Sequence, residues 1–423
     1  MQRQIPLSRT AVEASNALTS RWAATLPAER GTVFSAAGVW PLLAFLADGA
    51  DGAARAELAA AVGLPADEAA RAARELLASL DAMRGVDAAL GLWTRRTLTL
   101  RDAWRAGVPV GALGVLTGDP AADAATLDAW AAERTGGRIE RMPARPDEST
   151  EFVLASALAL RTDWYRPFSE GAAEARTGPW RGRTLATLYR STSLLDRVGV
   201  AHSPAGAVTG LKVLGDTGID VHLLLGEDHM GPGQVLGTGV DVLARRLDVV
   251  PGPRLPYGEV GPGLRVSRVR SVSPRPPTLH VTTVPFALEA RHDLIERHGL
   301  FGMTTALDRS HGHFPGIAAE ELALQGADQA ATATFGALGF RAAVVTAVMG
   351  YGAGVPEERY LTTEVDARFD RPFGFLAVHR ASRLVLASGW VTDPEPFRED
   401  EDSYEQGWLR SGPTARSRSG PVA

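Results

Sequence analysis

Residues 152–168 read FVLASALALRTDWYRPF, and this stretch decides how the rest of the chain is interpreted. The run from Phe152 to Leu160 is apolar and is bounded by polar residues, which is typical of a strand buried on both faces. Trp164 follows the run after a short polar segment. We therefore predict a buried strand here, followed by a tryptophan at its end.

The flanking sequence is helical before this strand and strand-rich after it. Residues 31–47 predict one buried helix, and three further amphipathic or Ala-rich runs also predict helices: Ala53–Val62, Asp67–Met83 and Thr126–Arg134. Short apolar or alternating runs predict strands at Val208–Val213, Ile219–Leu225, Leu279–Val284, Ala330–Phe335, Ala342–Met349, Phe373–Val378 and Leu384–Val391. A short helix is expected from His292 to His298, ending at Gly299. Helices first and strands later predict an α+β fold.

Composition excludes several classes of protein and site. The chain has 423 residues, 45% hydrophobic and 22% charged, as is ordinary for a globular protein. The formal net charge of −5 gives no general attraction to nucleic acid or to an anionic membrane, and neither partner is expected. The chain contains no cysteine, which excludes disulfides, a thiolate nucleophile and cysteine-based metal sites. Its Arg- and Ala-rich composition suggests a high-GC genome.

No motif supports catalysis by this chain. The glycines of residues 231–237 miss the dinucleotide-binding spacing, and Gly350-Tyr-Gly-Ala-Gly354 precedes a proline instead of a helix N-terminus. His311 and His313 could face a metal, but no third ligand follows at a helical spacing. We therefore expect no metal, no cofactor and no enzymatic activity.

Six segments, in the right order, resemble the serpin superfamily. The first is Val33-Phe34-Ser35 with the helix that follows it. The others are Trp130–Ile139, the end of the opening stretch at Asp163–Phe168, Val284–Met303, Phe369-Asp-Arg-Pro-Phe373, and Leu386–Pro394. The ordered matches extend from about residue 15 to about residue 395.

The resemblance implies a metastable serpin-like fold with N-terminal helices, large mixed β-sheets and an exposed reactive loop. A serine protease cleaves this loop, which then inserts as a new strand and traps the acylated protease. The protein would act as a suicide substrate without catalytic residues of its own. The target protease is the expected partner.

The resemblance also assigns the hinge of the reactive loop. Alignment on Gly339 makes the hinge Gly339, Phe340, Arg341, Ala342 and Ala343. Alternation in a strand would point Phe340 and Ala342 toward the core and Arg341 and Ala343 outward. The run from Ala342 to Met349 lacks proline and is rich in small and β-branched residues, so it can form a strand.

The chain departs from inhibitory serpins at several positions. Phe340 replaces a small Thr or Ser, and Ala337 replaces an acidic residue that forms a hinge salt bridge. In the region where the sheet opens, the resemblance aligns Ser35, Ser156, Trp164 and Gln329. Gln329 replaces a buried histidine there, while Gly38 and Ser156 replace Ser and Asn, and a buried polar network is sensitive to such changes. These departures favour an alternative function, a non-inhibitory serpin-fold binding or scaffold protein.

The scissile bond has two candidate positions. Counting forward from Gly339 places it at Ala353–Gly354, and counting back from Pro372 places it at Leu361–Thr362.

Domain organisation and location complete the sequence-based expectations. We expect one serpin-like domain over residues 1–395 and a disordered acidic and Arg/Ser-rich tail over residues 396–423. A monomer is expected. The lack of a visible signal peptide favours the cytoplasm, with an extracellular location as the alternative.

Overall fold

A computed structural model describes residues 7–340 and 360–397 of the chain. Its helices are α1 (Arg9–Ala23), α2 (Ala36–Gly49), α3 (Gly52–Val62), α4 (Ala66–Ala82), α5 (Asp102–Gly107), α6 (Pro120–Arg134), α7 (Pro232–Leu243) and α8 (His298–Phe301). The first four helices follow one another with only β1 between them. The predicted helical first third is therefore present.

The strands occupy most of the remaining chain. They are β1 (Thr32–Phe34), β2 (Val86–Arg95), β3 (Leu113–Leu116), β4 (Phe152–Leu160), β5 (Thr162–Asp163), β6 (Ser169–Glu174), β7 (Thr184–Thr192), β8 (Val198–Ser203), β9 (Gly206–Val213), β10 (Ile219–Gly226), β11 (Val249–Pro251), β12 (Gly258–Gly261), β13 (Leu264–Ser271), β14 (Thr278–Thr283), β15 (Phe286–Asp293), β16 (Gly326–Phe335), β17 (Gly339–Phe340), β18 (Tyr360–Arg368), β19 (Phe373–His379) and β20 (Val385–Val391). Every residue of β4 is buried, as the sequence predicts.

The strands form three large sheets. The central sheet has the order β15-β16-β4-β2-β3, the seven-stranded sheet β1-β20-β19-β10-β9-β8-β11, and the six-stranded sheet β12-β13-β18-β14-β7-β6. In the central sheet β16 and β4 are parallel neighbours, paired from Gly326 with Val153 to Ala331 with Leu158. Helices at one end and mixed sheets elsewhere confirm the α+β fold class.

Helix α2 connects the helical layer to the sheets. Thirteen of its residues are buried, and it contacts α4, β2, β4 and β20. The prediction of one helix over residues 31–47 is wrong at its start. Residues 32–34 instead pair with β20, and Ser35 begins the helix by accepting a hydrogen bond from the Gly38 N–H.

The helix predicted from His292 to His298 is also wrong in its bounds. Strand β15 continues to Asp293, which pairs with Asp328 of β16. Helical structure starts only at Ile295, and α8 ends at Gly302 in the left-handed conformation with φ of 68°. The sheet ladder therefore holds a segment whose local pattern favours a helix.

The last described residues lie slightly beyond the predicted domain boundary. The Phe397 N–H donates to the Thr184 carbonyl, and Glu395 accepts from the Ala186 N–H. Residues 396 and 397 thus pack along β7 and belong to the domain. The predicted tail from residue 398 lies outside the described residues.

Two further predictions concern surface features. His311 and His313 lie in a loop where Ser310 contacts His311, and His313 contacts the Asp308 carbonyl. Within residues 7–340 and 360–397, no group of three or more His, Asp or Glu is placed to bind a metal ion. None of the described helices is long and apolar enough to cross a membrane.

Asp328 in β16 makes the stability of the central sheet dependent on pH. Burial and the neighbouring Asp293 raise the pKa of Asp328 to about 7, whereas the ordinary value is 3.8. The folded chain therefore holds a proton that the unfolded chain has already lost between about pH 4 and pH 7. Stability from this group falls as the pH rises through that range.

We expect Asp328→Asn to raise the free energy of unfolding at pH 8 by about 2 kcal/mol and to have little effect at pH 4. The amide cannot ionise, so the cost of the buried charge disappears. Urea unfolding at the two pH values measures the difference. Asp196→Asn, which removes an exposed carboxylate, is the control, and an equal effect of both substitutions would contradict the assignment.

Candidate functional site

The predicted hinge begins in a tight reversal of the chain after β16. At this turn the Gly336 N–H donates to the Gly339 carbonyl at 3.0 Å. The chain then runs back as β17, antiparallel to β5, with Gly339 opposite Asp163 and Phe340 opposite Thr162. Strand β5 follows β4 directly along the chain. Because β17 runs antiparallel to β5, it directs the chain back toward the space between β16 and β4.

Trp164 holds this reversal in place. Its backbone N–H donates to the Leu338 carbonyl at 2.9 Å, and its indole Nε1 donates to the Gly336 carbonyl at 2.9 Å. The ring is 4% exposed and lies 5.0 Å from the ring of Phe335. The sequence-based assignment of Trp164 to the end of the sheet therefore matches its position.

Phe340 is buried beneath this end of the central sheet. It is 1% exposed, and its ring lies 6.0 Å from that of Phe375 in β19. Phe375 lies 5.0 Å from Phe286, which stacks on Phe335 at 5.3 Å. These rings form an aromatic cluster, Phe286, Phe335, Phe340 and Phe375, that accommodates the large hinge residue without exposing it.

The sequence shows each aromatic residue of this cluster but not their association. Phe286 and Phe335 lie on β15 and β16 of the central sheet, whereas Phe340 lies on β17 and Phe375 on β19 of the seven-stranded sheet. Only the packing of the central sheet on the seven-stranded sheet shows that the pocket for Phe340 already exists.

Gly339 is required by the close approach of the two chains. A Cβ atom at this position would lie 2.4 Å from the Thr162 carbonyl oxygen and 3.0 Å from the Asp163 Cα. Contacts that short force the backbone to move. Glycine thus allows β17 to pair with β5 at this point.

Backbone hydrogen bonds hold the turn at Ala337, where the sequence lacks the acidic residue of a hinge salt bridge. Ala337 is 4% exposed, and its carbonyl accepts from the Phe168 N–H at 2.8 Å. Neighbouring bonds from Trp164 secure the same turn. Arg341, Ala342 and Ala343, the remaining hinge residues, lie outside the described residues.

The residues aligned with the sheet-opening region form one buried network. The Gln329 side chain accepts from the Ser35 N–H at 2.7 Å and donates to the Ser35 carbonyl at 2.8 Å. It also donates to the Ser156 hydroxyl at 3.4 Å. Ser35, Ser156 and Gln329 are all 0% exposed, so these bonds connect α2, β4 and β16 without water.

The substitutions in this network compensate for one another. A Cβ atom on Gly38 would lie 2.7 Å from the Ser156 hydroxyl and 3.4 Å from the Gln329 amide nitrogen. The missing side chain at Gly38 therefore leaves room for that hydroxyl and amide. Glutamine provides both a donor and an acceptor, so Gln329 bonds both the N–H and the carbonyl of Ser35.

His292 extends the polar region on the neighbouring strand. It pairs with Gln329 across the β15–β16 ladder, and its Nε2 lies 2.8 Å from the Val33 carbonyl. Burial lowers the pKa of His292. The imidazole is therefore neutral at pH 7 and donates to the Val33 carbonyl.

The position of Leu361 and Thr362 argues against a scissile bond there. Both residues lie in β18, opposite Arg270 and Val269 of β13. Thr362 is 8% exposed, and its hydroxyl donates to the Arg275 carbonyl at 3.0 Å. A protease binds an extended segment that is free of other pairing, which these residues do not provide. The other candidate, Ala353–Gly354, lies outside the described residues.

The Phe369–Phe373 motif anchors the chain beyond β18. The Asp370 carboxylate accepts from the Arg176 N–H and from the Thr177 hydroxyl, each at 2.9 Å. The Arg371 guanidinium lies 3.0 Å from Asp228 and donates to the Gly226 carbonyl. This motif thus joins the six-stranded sheet to the seven-stranded sheet.

We expect Gln329→Leu to lower the free energy of unfolding by about 3 kcal/mol, because the buried Ser35 N–H and carbonyl lose their partner. Urea unfolding followed by tryptophan fluorescence measures the change. Gln234→Leu, at an exposed helix N-terminus, is the matched control and should cost about 1 kcal/mol or less. Equal losses of unfolding free energy for the two variants would show that the buried network contributes no more to stability than the exposed Gln234 side chain does.

Comparison with known proteins agrees with this geometry. Residues 13–177 match the family model described as Serpin (serine protease inhibitor). A rice protein from Oryza sativa subsp. japonica, named serpin-Z6C, is 24% identical over 420 residues, which cover 92% of this chain and 96% of the relative.

Solved structures show the same fold. The thermophilic serpin Tengpin in its native state gives a TM-score of 0.69 at 13% identity, covering 93% of this chain and 95% of the other. Human thyroxine-binding globulin, solved with its thyroxine ligand, gives a TM-score of 0.68 at 16% identity, covering 92% and 99%. The ordered motifs, the family match over residues 13–177 and the shared fold agree, and together they support the serpin superfamily for this chain.

Proposed function

We propose that this serpin inhibits serine proteases as a suicide substrate. Cleavage within residues 341–359 would release the hinge side of the loop from β18, and that side would insert between β16 and β4. The observation that carries the proposal is the pairing of β17. Its residues Gly339 and Phe340 already pair with β5, beside the space between β16 and β4 where the loop would insert.

The arrangement of the central sheet supports such insertion. Parallel β16 and β4 can both pair with one antiparallel strand placed between them, and β17 has the required direction. The present pairing of β16 with β4 ends at Ala331 and Leu158, before the two strands reach the position of β17. Insertion would replace one short parallel ladder by two antiparallel ladders, which explains how it releases free energy.

The aromatic cluster removes the main steric objection to insertion. Phe340 would need a site beneath the sheet, and the structure buries it against Phe375 before any cleavage. The overpacking cost expected for a large hinge residue, about 1–3 kcal/mol, is therefore avoided at this position. Small residues follow at Ala342 and Ala343.

A second function, as a binding protein without protease trapping, is favoured by one observation. Phe340 is anchored by the aromatic cluster before cleavage, so the first step of insertion releases no further free energy at this residue. A slower insertion would let the protease complete hydrolysis and leave. Loop cleavage without complex formation is the outcome that distinguishes this function.

We expect the intact chain to form an SDS-resistant complex with at least one member of a broad panel of serine proteases. Phe340→Arg should abolish the complex and turn the chain into a cleaved substrate, because a guanidinium cannot be buried in the aromatic cluster without a partner. Val110→Arg, at a residue 93% exposed, is the control and should leave complex formation unchanged. Release of every active protease from the unaltered chain would favour the second function.

We also expect a nick between Gly350 and Tyr360 to raise the thermal midpoint by at least ~10 °C, because the freed segment adds a central strand. Differential scanning calorimetry before and after limited proteolysis measures the shift. The nicked Phe340→Arg chain should show a much smaller rise. An unchanged midpoint for the unaltered chain would exclude insertion.

A further inference from the structure

Strand β18 follows residues 341–359, and a hairpin covers its outer edge. The other strands of the six-stranded sheet pair with one another without this hairpin. The hairpin comprises β12 and β13, and β13 pairs antiparallel with β18 from Leu264 opposite Ala367 to Ser271 opposite Tyr360. On its other side β18 pairs in parallel with β14, from Glu364 to Arg368. Without the hairpin, β18 would be the edge strand of this sheet.

Apolar contacts and a close backbone approach hold the part of the hairpin near its turn, residues 263–266, against β18. Leu264 and Val266 of β13 are at most 3% exposed, as are Val365 and Ala367 of β18. At the hairpin turn the Gly263 carbonyl accepts from the Arg368 N–H at 2.8 Å. Gly263 has φ of 57°, and a Cβ atom there would lie 2.2 Å from the Arg368 carbonyl oxygen, so glycine is required.

Aromatic and polar contacts hold the part of the hairpin far from its turn, around Tyr257 and Arg268, against β18. The Arg268 guanidinium lies 4.8 Å from the Tyr257 ring centroid, a cation–π distance. The Tyr257 hydroxyl lies 3.0 Å from the Thr363 hydroxyl. The segment after β13 adds a hydrogen bond from Thr362 to the Arg275 carbonyl. Apolar packing and three hydrogen bonds outside the strand ladder therefore connect the hairpin segment to β18, and the Arg268 contact supports Tyr257 in its position.

The topology gives this attachment a mechanical consequence. In the intact chain, residues 341–359 join Phe340 directly to Tyr360. If the uncut loop moved between β16 and β4, it would pull the chain toward that gap, and the tension would fall on Tyr360, the first residue of β18. Insertion of the uncut loop along the whole central sheet therefore pulls on β18 in its sheet, whereas a cut loop inserts without disturbing β18.

We propose that the β12–β13 hairpin is a clasp that keeps β18 in its sheet, so that the loop inserts only after cleavage. The clasp blocks spontaneous insertion, which would use up the loop without any protease. This proposal rests on the proposed function for its purpose, but the attachment of β18 can be measured separately. Edge strands with one neighbour detach more readily than strands paired on both sides.

The absence of cysteine allows a clean test. Arg265 and Asp366 lie opposite each other on β13 and β18, and opposed Cα atoms in an antiparallel pair are within the range that a disulfide spans. The double variant Arg265→Cys/Asp366→Cys locks the clasp when oxidised and frees it when reduced. The reduced form is the matched control in the same chain.

A loosened variant tests the opposite direction. Tyr257→Ala/Arg268→Ala removes the exposed aromatic contact but leaves the apolar half of the hairpin intact. During incubation at raised temperature, the uncut loosened chain should become heat-resistant and uncleavable by subtilisin at least ~10 times faster than the unaltered chain. The oxidised double-cysteine chain should convert at least ~10 times more slowly than the loosened chain and than its own reduced form.

Two further readouts separate this proposal from the proposed function. Nicking the loop should raise the thermal midpoint of every variant by the same amount, because cleavage disconnects the loop from β18. Hydrogen exchange should show at least ~10-fold lower protection of the β18 amides in the loosened variant and unchanged protection in β6. A nick without a thermal shift would overturn the proposed function alone.

Two results would overturn the clasp. One is equal conversion of the oxidised and reduced double-cysteine chains. The other is unchanged hydrogen-exchange protection of the β18 amides in the loosened variant. This second result would overturn the clasp even if no uncut chain converts.

Discussion

The structure depends on the parallel pairing of β16 with β4 and on its end at Ala331 and Leu158. Parallel neighbours need a long crossover between them, and here that crossover contains most of the other two sheets. Because pairing stops before the strands do, the end of the central sheet offers a position beside β5. The chain reversal after β16 uses that position for Gly339 and Phe340.

Two groups of buried side chains maintain this arrangement from opposite directions. The Gln329 network ties β16 and β4 to the start of α2 through bonds that exclude water. The aromatic cluster holds the end of the sheet against β19. Polar bonds in a dry site are directional, so they set which strands are neighbours, whereas the aromatic contacts provide volume and tolerate a large hinge residue.

The β12–β13 hairpin shows how an addition at a distant edge can bear on the same sheet. It contacts β18, the first strand after the loop, and shares no strand with the central sheet. The loop connects the two places covalently. A constraint on β18 is therefore also a constraint on how residues 341–359 can move, and cleavage is the event that separates them.

Local patterns were sufficient for much of the fold. The apolar run of β4, the hairpin of β9 and β10 and the helices α3 and α4 follow from periodicity and turn residues, and Gly339 and Trp164 follow from the resemblance. The bounds at Ser35 and Asp293 did not follow, because sheet partners far away in sequence override local preference there. The pairing that argues against Leu361–Thr362 as the scissile bond could not be read from the sequence either, since its partners on β13 are visible only in the folded sheet.

The sequence by itself determined the α+β class, the buried central strand, the absence of cysteine chemistry and the superfamily resemblance. Each of these depends on composition, spacing or residue type along one segment. The tertiary structure decided that Phe340 has a pocket, that Gln329 completes its network around Gly38, and that a hairpin covers β18. Those features arise from side chains on strands of different sheets, and their distances are fixed only when the sheets pack together.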